Sequence, residues 1–353
     1  LKVTTNAYYN YFHRNWYKLN DVRAGITSKE KISVADVLID PETNIRYFDI
    51  LTGKTDREGE ALLVRANNRT YRSRGIQTRA EYRFNVKEFF FDLEFGLRYH
   101  ADEEDRFQWD DSYSMKNKKM VLFMEGIHGT NANRITSANA LAGYLLAKLR
   151  YNVWTITAGL RYEDIDLLKK DYTKEDLARS GKVRIETPNH ARVLIPGIGV
   201  HYQLLPAASV FFGIHKGFAP PSAELYQKPE SSVNMELGTR VSIGKFKAEL
   251  IGFYNNYSNM LGSDLAASGG SGTLEQFNVG EARVKGAEFL VQYQPLPHTC
   301  SLRLPLQLSY TYTDTEMRNS FESHSWGNVV RGDEIPYIFK HALNMQLGIE
   351  YKW

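Results

Sequence analysis

Long runs of alternating apolar and polar residues constrain this chain more than any other feature. The clearest run extends from Ser301 to Thr313, SLRLPLQLSYTYT, and a second closes the chain from Leu343 to Trp353. Successive side chains of a β-strand point to opposite faces, so each run predicts a strand with one apolar face. Helical periodicity is weak along the chain, and the fold class predicted from the pattern is all-β.

We identify twelve such segments. Many run for about ten residues or more, whereas strands of soluble proteins average about 5–6 residues and tilted membrane strands need about 9–11. Their length therefore favours strands that cross a membrane. The segments begin near Lys2, Gly75, Phe89, Ser137, Val153, Arg192, Ser209, Ser232, Phe246, Gln276, Ser301 and Pro336.

The composition agrees with a membrane barrel. Hydrophobic residues make up 42% and aromatic residues 13% of the chain, with 22 Tyr and 18 Phe. In a membrane barrel only every second residue of a strand faces lipid. Mean hydropathy therefore stays low, and no apolar run of about 18 residues is needed. The formal net charge of +3 and the dispersed positions of the basic residues argue against a nucleic-acid-binding function. One cysteine, Cys300, excludes a disulfide framework.

The connections between segments alternate between short and long. Outer-membrane barrels have short periplasmic turns and long extracellular loops, so this sorting predicts an up-and-down transmembrane barrel. The short connections are Val86–Glu88, Arg150–Asn152, Leu205–Ala208, Gly244–Lys245 and Gln294–Thr299. The predicted long loops are Asn20–Arg74, His100–Thr136, Asp166–His190, Ala219–Ser231, Leu261–Glu275 and Asp314–Ile335.

The two predicted faces differ in chemistry. Tyrosines and tryptophans near the segment ends, such as Tyr99 and Trp154, lie on the apolar face, as in the aromatic girdles of membrane barrels. The opposite face carries charges of both signs, including Arg79, Glu94 and Arg161, which a polar lumen tolerates and a packed core does not. A passive pore would have a similar inner face, so this pattern leaves the function open.

An enzyme is the alternative from another class. Ser209 and His215 could supply a nucleophile and a base in a barrel hydrolase, but no third residue is placed to orient the histidine. The nine histidines show no metal-ligand spacing. We predict neither catalytic nor metal-binding residues.

Specific motifs resemble the TonB-dependent outer-membrane transporter family. They occur in order along the chain: ITAGLRYEDIDL, FFGIHKGFAPPSAE, KPESSVNMELGTRV, QFNVGEARVKGAEFLVQY and GDEIPYIFKHALNMQLGIEY. The resemblance covers essentially all of 1–353, and within the family it is nearest to the ferric dicitrate transporter branch. It implies energy-coupled uptake of a ferric chelate, dicitrate or siderophore, across the bacterial outer membrane, with outer-membrane lipid as the surroundings.

The resemblance also implies further parts, which we expect to lie outside 1–353. The family barrel has about 22 strands and encloses an N-terminal plug that contacts the TonB energy-transducing complex. We expect 1–353 to be a barrel fragment of about 12 strands, roughly strands 7 to 18, without the plug. No cofactor is implied, because the ferric chelate is the transported ligand.

If the ligand is anionic, arginines at the loop end should hold its carboxylates in bidentate contacts. The candidates are Arg69, Arg72, Arg74 and Arg331, with Trp326 as an apolar wall. A passive porin and uptake of another ligand such as cobalamin remain the alternatives, since specificity depends on loops and on the plug.

Overall fold

The computed structural model describes residues 1–25, 31–182, 184–263, 276–297, 300–323 and 327–351. Trp326 therefore lies outside the described residues. The strands are β1 (Lys2–Arg23), β2 (Lys31–Ser33), β3 (Arg57–Val86), β4 (Phe89–Lys116), β5 (Lys119–Met124), β6 (Ala132–Tyr151), β7 (Trp154–Asp171), β8 (Ile185–Leu205), β9 (Ala208–Ala219), β10 (Glu230–Ile243), β11 (Phe246–Ser263), β12 (Gln276–Tyr293), β13 (Leu302–Arg303), β14 (Leu306–Met317), β15 (Phe321–Ser323), β16 (Gly327–Val329), β17 (His341–Leu347) and β18 (Glu350–Tyr351). Two short helices, α1 (Val34–Ile39) and α2 (Ile45–Leu51), lie between β2 and β3.

The long strands form one antiparallel sheet in chain order. Within the described ranges the order is β17-β14-β12-β11-β10-β9-β8-β7-β6-β4-β3-β1-β2, and β5 pairs with β4. The twelve predicted segments correspond to β1, β3, β4, β6 to β12, β14 and β17. The prediction of an up-and-down β-sheet of long strands is confirmed.

Three predicted loops were too long. The chain from Asn20 to Arg74 was predicted to be one connection, yet β1 continues to Arg23 and β3 begins at Arg57. Likewise β4 continues to Lys116. In the third predicted loop, β7 continues to Asp171 and β8 already begins at Ile185. Beyond the bilayer water reaches both faces of a strand, so a strand can continue there without alternating polarity. Backbone pairing with the neighbouring strand extends it instead.

The last two long strands begin later than predicted. The segments expected from Ser301 and Pro336 start at Leu306 and His341. Pro305 has no N–H for the ladder, which interrupts the first of these strands. Its carbonyl still accepts a hydrogen bond of 2.8 Å from the backbone N–H of Gly348.

Four of the five short connections are tight two-residue hairpins, as predicted, whereas Gln294–Thr299 falls partly outside the described residues. Lys87, Asn152 and Gly244, in three of these turns, have φ values of 55°, 52° and 57°. Two-residue hairpins favour this left-handed region because its twist matches that of the flanking strands. The tight turns fix the register of each strand pair at this end of the sheet.

The register separates an apolar face from a polar one. Phe95 lies opposite Leu145, and Leu145 lies opposite Leu160. These three side chains are 49%, 49% and 46% exposed, so lipid rather than protein covers them. On the other face Tyr144 donates a 2.6 Å hydrogen bond to Glu94. The alternation predicted for the two faces is therefore present across the sheet.

Two small hydrophobic clusters support the chain at the long-loop end. One combines Val22, Ile50 and Leu62 from β1, α2 and β3, and the other combines Val279 and Met317 from β12 and β14. Ser33 caps the N-terminus of the helix α1, and its side chain accepts a 3.0 Å hydrogen bond from the Asp36 N–H. No described helix has the length and apolar character needed to cross a membrane.

Candidate functional site

Four arginines form a row across four neighbouring strands on the polar face. Arg14 on β1 lies directly opposite Arg69 on β3. Arg69 in turn lies opposite Arg106 on β4, and Arg106 lies opposite Arg134 on β6. We call Arg14, Arg69, Arg106 and Arg134 the arginine row. Because directly opposed residues share a face, all four belong to the inner face that also carries Arg98 and Glu94.

The arginine row lies at the long-loop end of the sheet. Arg106 is separated from Tyr99, an aromatic residue of the predicted girdle on β4, by roughly 20 Å of extended strand. Long connections mark the extracellular end of outer-membrane barrels. The row therefore lines the inner wall above the membrane, where a ligand arriving from outside would meet it.

The arginines have few acidic partners. Glu104 pairs with Arg69 at 3.2 Å and with Arg106 at 2.8 Å. The Tyr71 hydroxyl accepts hydrogen bonds from Arg14 at 3.0 Å and from Arg69 at 3.5 Å. No carboxylate in the described part of the chain lies within ion-pair distance of Arg134. Among the described residues, Glu104 thus pairs with two of the four guanidinium groups, and the nearest acid to Arg134 by register is Asp171 on β7.

Burial makes this excess of positive charge costly. The side chain of Arg69 is 6% exposed and that of Arg106 is 11% exposed. Burial lowers the pKa of the Arg106 guanidinium, and the neighbouring charges of Arg134 and Arg69 act in the same direction. The pairing with Glu104 opposes this change. Like charges directly opposite each other on a sheet destabilise it, so the row favours a bound anion.

Unused donors add to this preference. The Nε groups of Arg14 and Arg69 are buried and have no hydrogen-bond acceptor among the described residues. A buried donor without an acceptor costs free energy that a correctly placed ligand oxygen would recover. Guanidinium groups bind carboxylates through two parallel hydrogen bonds, so the row can hold several carboxylates at once.

A cavity of about 660 Å³ lies against the same wall. Its volume falls in the range of small-molecule pockets. Tyr71 and Glu104, which contact the arginine row, line it on one side, and Pro220 and Pro221 from the β9–β10 connection line another. The remaining lining combines apolar and polar side chains, among them Phe12, Ser73, His100, Asp102, Thr136, Ile165 and Leu167.

The structure places the predicted ligand residues in different surroundings. Arg69 belongs to the arginine row. Arg72 and Arg74 lie in β3 rather than in a loop, and their positions in the alternation put them on the outer face with Ile76. Arg72 pairs there with Glu103 at 2.7 Å.

Arg331 lies apart from these three. It is exposed in the connection before β17, at the other end of the strand order from β3. Its backbone N–H donates a 2.9 Å hydrogen bond to Ser320. Of the four predicted arginines, Arg72 lines the cavity, and Arg69 contacts Tyr71 and Glu104, which also line it.

Sequence reasoning missed Arg14, Arg106 and Arg134. Arg106 and Arg134 fall in stretches predicted to be loops, for which no register can be derived. The signal that could have found them is the alternation of Glu104, Arg106 and Gln108 in a stretch without glycine or proline. That pattern predicts an extended strand whose one face carries these side chains.

The pair considered for an enzyme does not form a catalytic site. Ser209 and His215 share the inner face of β9, but roughly 20 Å of extended strand separates them. The His215 ring contacts the Asn234 side chain at 3.2 Å instead. A nucleophile and its base need hydrogen-bond contact, so this pair does not support hydrolysis.

One group of possible metal ligands lies on the outer face. Asp164, Asp166 and His190 bring their ligand atoms within 4.8 Å of one another. Protein partners already engage these groups: His190 contacts Asp166 at 2.7 Å and Arg192 pairs with Asp164 at 3.0 Å. These contacts account for the cluster as an ion-pair network between β7 and β8.

Known structures share this fold. The ferric citrate transporter FecA in its unliganded form is 21% identical, with a TM-score of 0.61, over 83% of this chain and 41% of that chain. The siderophore receptor PiuA from Acinetobacter baumannii is 14% identical, with a TM-score of 0.66, over 97% of this chain and 49% of that chain. The ferric-catecholate import receptor Fiu from E. coli K12 is 14% identical, with a TM-score of 0.60, over 81% and 44%. This chain spans less than half the length of these proteins.

The family model for TonB dependent receptor-like β-barrels matches residues 2–353. That match covers the strands of both faces and all four members of the arginine row. Proteins of this family are transporters and receptors of the bacterial outer membrane. The chain belongs to the TonB-dependent receptor β-barrel family.

Proposed function

We propose that this receptor takes up an anionic ferric chelate, with ferric citrate as the prime candidate, across the outer membrane. The arginine row is the observation that carries the proposal. Its four cations lie side by side on the inner wall with one carboxylate, Glu104, between two of them. A chelate rich in carboxylates supplies the missing negative charge.

The dimensions of the row suit a ligand with several acidic groups. Neighbouring strands are about 4.8 Å apart, so the row extends over about 14 Å along the sheet. A ligand with carboxylates on two or more sides can contact several guanidinium groups at once. The adjacent apolar wall, including Ile165 and Leu167, can contact its carbon skeleton.

Uptake needs no covalent chemistry at this site. The extracellular loops and the inner wall capture the chelate, and the receptor holds it by ion pairs and hydrogen bonds. The TonB energy-transducing complex then drives the opening of a path through the lumen. The iron remains cargo throughout.

A passive porin and a receptor for a different ligand are the competing functions. Arginines also line anion-selective pores, so the argument against a porin rests on the match of residues 2–353 to TonB dependent receptor-like β-barrels. Cobalamin presents few negative charges to a row of this kind. The arginine row therefore favours an anionic chelate over cobalamin.

Transport of radioactive iron by cells tests the proposal. Cells that produce the native receptor should accumulate iron supplied as ferric citrate, and a protonophore should abolish the accumulation, because energy coupling depends on the inner-membrane proton gradient. Accumulation that persists with the protonophore, together with ion conductance in a planar bilayer, would support a porin. No receptor-dependent accumulation from any anionic ferric chelate would reject the proposal.

A further inference from the structure

The connection between β9 and β10 carries a glutamate that bonds to a lysine of the inner wall. The Lys169 Nζ contacts both carboxylate oxygens of Glu224, at 2.6 and 2.7 Å. The Lys169 side chain is 16% exposed, whereas that of Glu224 is 40% exposed. The lysine is thus largely enclosed, and its partner reaches it from the solvent side.

Lys169 extends the arginine row onto a fifth strand. It lies on β7 opposite Thr136, while Arg134 lies opposite Asp171. Lys169 is therefore the diagonal neighbour of Arg134 on the same face, at about 7–8 Å between Cα atoms. The Asp171 carboxylate accepts a 3.0 Å hydrogen bond from the backbone N–H of Thr173.

The connection has other anchors that hold its shape. The Asn189 side chain donates hydrogen bonds to the carbonyls of Ser222 and Gln227 at 2.9 and 3.1 Å. The Gln227 side chain accepts a 2.7 Å hydrogen bond from the Ser222 N–H. Ala223, next to Glu224, is 2% exposed. These hydrogen bonds therefore hold the connection in place on either side of Glu224, independently of the Lys169–Glu224 ion pair.

The same connection borders the cavity beside the arginine row. Pro220, Pro221, Ser222 and Ala223 line the cavity together with Thr136 from the opposite wall. Lys169 is the cross-strand partner of Thr136, and Glu224 directly follows Ala223, so both members of the ion pair neighbour residues that line the cavity. A carboxylate that entered the cavity from outside would meet the carboxylate of Glu224 at Lys169.

We propose that Lys169 is a subsite for a carboxylate of the transported chelate and that Glu224 occupies it in the free receptor. Glu224 acts as an internal substitute for the ligand. On binding, a ligand carboxylate replaces that of Glu224, which turns to solvent. This inference rests on the proposed function, because it assigns one further contact to the same anionic ligand.

The exchange has a measurable consequence. One ion pair replaces another at Lys169. The ligand's binding free energy therefore gains only the difference between the free energies of the two ion pairs. Removal of the Glu224 charge leaves Lys169 without its internal partner and strengthens ligand binding. From the usual worth of a partly exposed ion pair, Glu224→Gln should lower the Kd for ferric citrate about 3- to 5-fold.

Titration of the native receptor with ferric citrate, followed by tryptophan fluorescence, tests this subsite. The matched control is Glu186→Gln, which removes the same charge from an acid that pairs with Arg184 at 3.0 Å on the outer face. We expect tighter binding by Glu224→Gln, an unchanged Kd for Glu186→Gln and weaker binding by Lys169→Met.

The double variant Lys169→Met/Glu224→Gln separates a direct exchange from a general charge effect. If Glu224 acts only through Lys169, the double variant binds with the Kd of Lys169→Met alone. Equal Kd values for wild type and Glu224→Gln would overturn the subsite while leaving the proposed function intact. No saturation of the wild-type receptor would overturn the proposed function, and the subsite with it.

Discussion

Arg69 lies directly opposite Arg106 on neighbouring strands, and Glu104 bonds to both side chains. Two cations in this position repel each other, and the single carboxylate offsets the repulsion only in part. A ligand with further carboxylates completes the neutralisation. The repulsion thus lowers the stability of the free receptor, and the same arrangement forms a site that is ready to bind an anion.

Glu104→Gln should destabilise the free receptor, because it leaves Arg69 and Arg106 without a counter-charge. We expect a loss of about 1–3 kcal/mol in the free energy of unfolding. Added citrate should restore part of this loss by binding to the arginine row. Thermal unfolding in detergent with and without citrate measures both effects.

The control for this experiment is Glu103→Gln. Glu103 is adjacent in sequence but pairs with the half-exposed Arg72 on the outer face. Its removal should change the free energy of unfolding by less than about 1 kcal/mol. Equal losses for the two variants would show that Glu104 has no special role.

Ionic strength should weaken binding of ferric citrate by the native receptor. The Debye length falls from about 10 Å at 0.1 M salt to about 3 Å at 1 M salt, so the attraction between the arginine row and an approaching anion is screened. We expect the Kd to rise several-fold over this range in calorimetric titrations. A Kd that is independent of salt would indicate that contacts other than ion pairs hold the ligand.

Leu145 and Leu146 provide a test of the two faces. Leu145 lies opposite Phe95 on the apolar face, whereas Leu146 lies opposite Glu94 on the polar face. An arginine on the lipid face near the bilayer centre costs about 2–4 kcal/mol. Leu145→Arg should therefore lower the unfolding free energy in lipid vesicles by that amount, and Leu146→Arg should have a much smaller effect. A larger loss of unfolding free energy for Leu146→Arg than for Leu145→Arg would mean that the register of β6 is shifted by one residue.

The membrane-spanning part of this fold is predictable from sequence because lipid imposes a strict alternation. Phe95 and Leu145 must be apolar while Glu94 and Tyr144 need not be, so both strands and faces follow from the residue pattern. The tight turns are predictable for a similar reason, since residues such as Asn152 accept the left-handed backbone that a two-residue hairpin requires.

The parts of the strands that extend beyond the membrane on the extracellular side lack this alternation of apolar and polar residues. Above the bilayer both faces of β3 and β4 meet water or loops, so polar residues occur on either side, such as Gln108 on the inner face and Asp105 on the outer face. Loop predictions there were wrong, and Arg72 and Arg74 were grouped with Arg69 although alternate positions place them on the opposite face. The arginine row emerges only from the pairing of four strands, which local sequence does not specify.

The comparison of Arg106→Met with Arg192→Met tests the central claim most directly. Both variants lose one arginine of an ion pair, but Arg106 belongs to the inner arginine row, whereas Arg192 pairs with Asp164 on the outer face and does not line the cavity. In titrations of the native receptor with ferric citrate, Arg106→Met should raise the Kd about 10- to 100-fold, as expected for the loss of a charge-assisted hydrogen bond. Arg192→Met should leave the Kd within about twofold of wild type, the range for an exposed ion pair. Wild-type affinity in Arg106→Met would contradict the account.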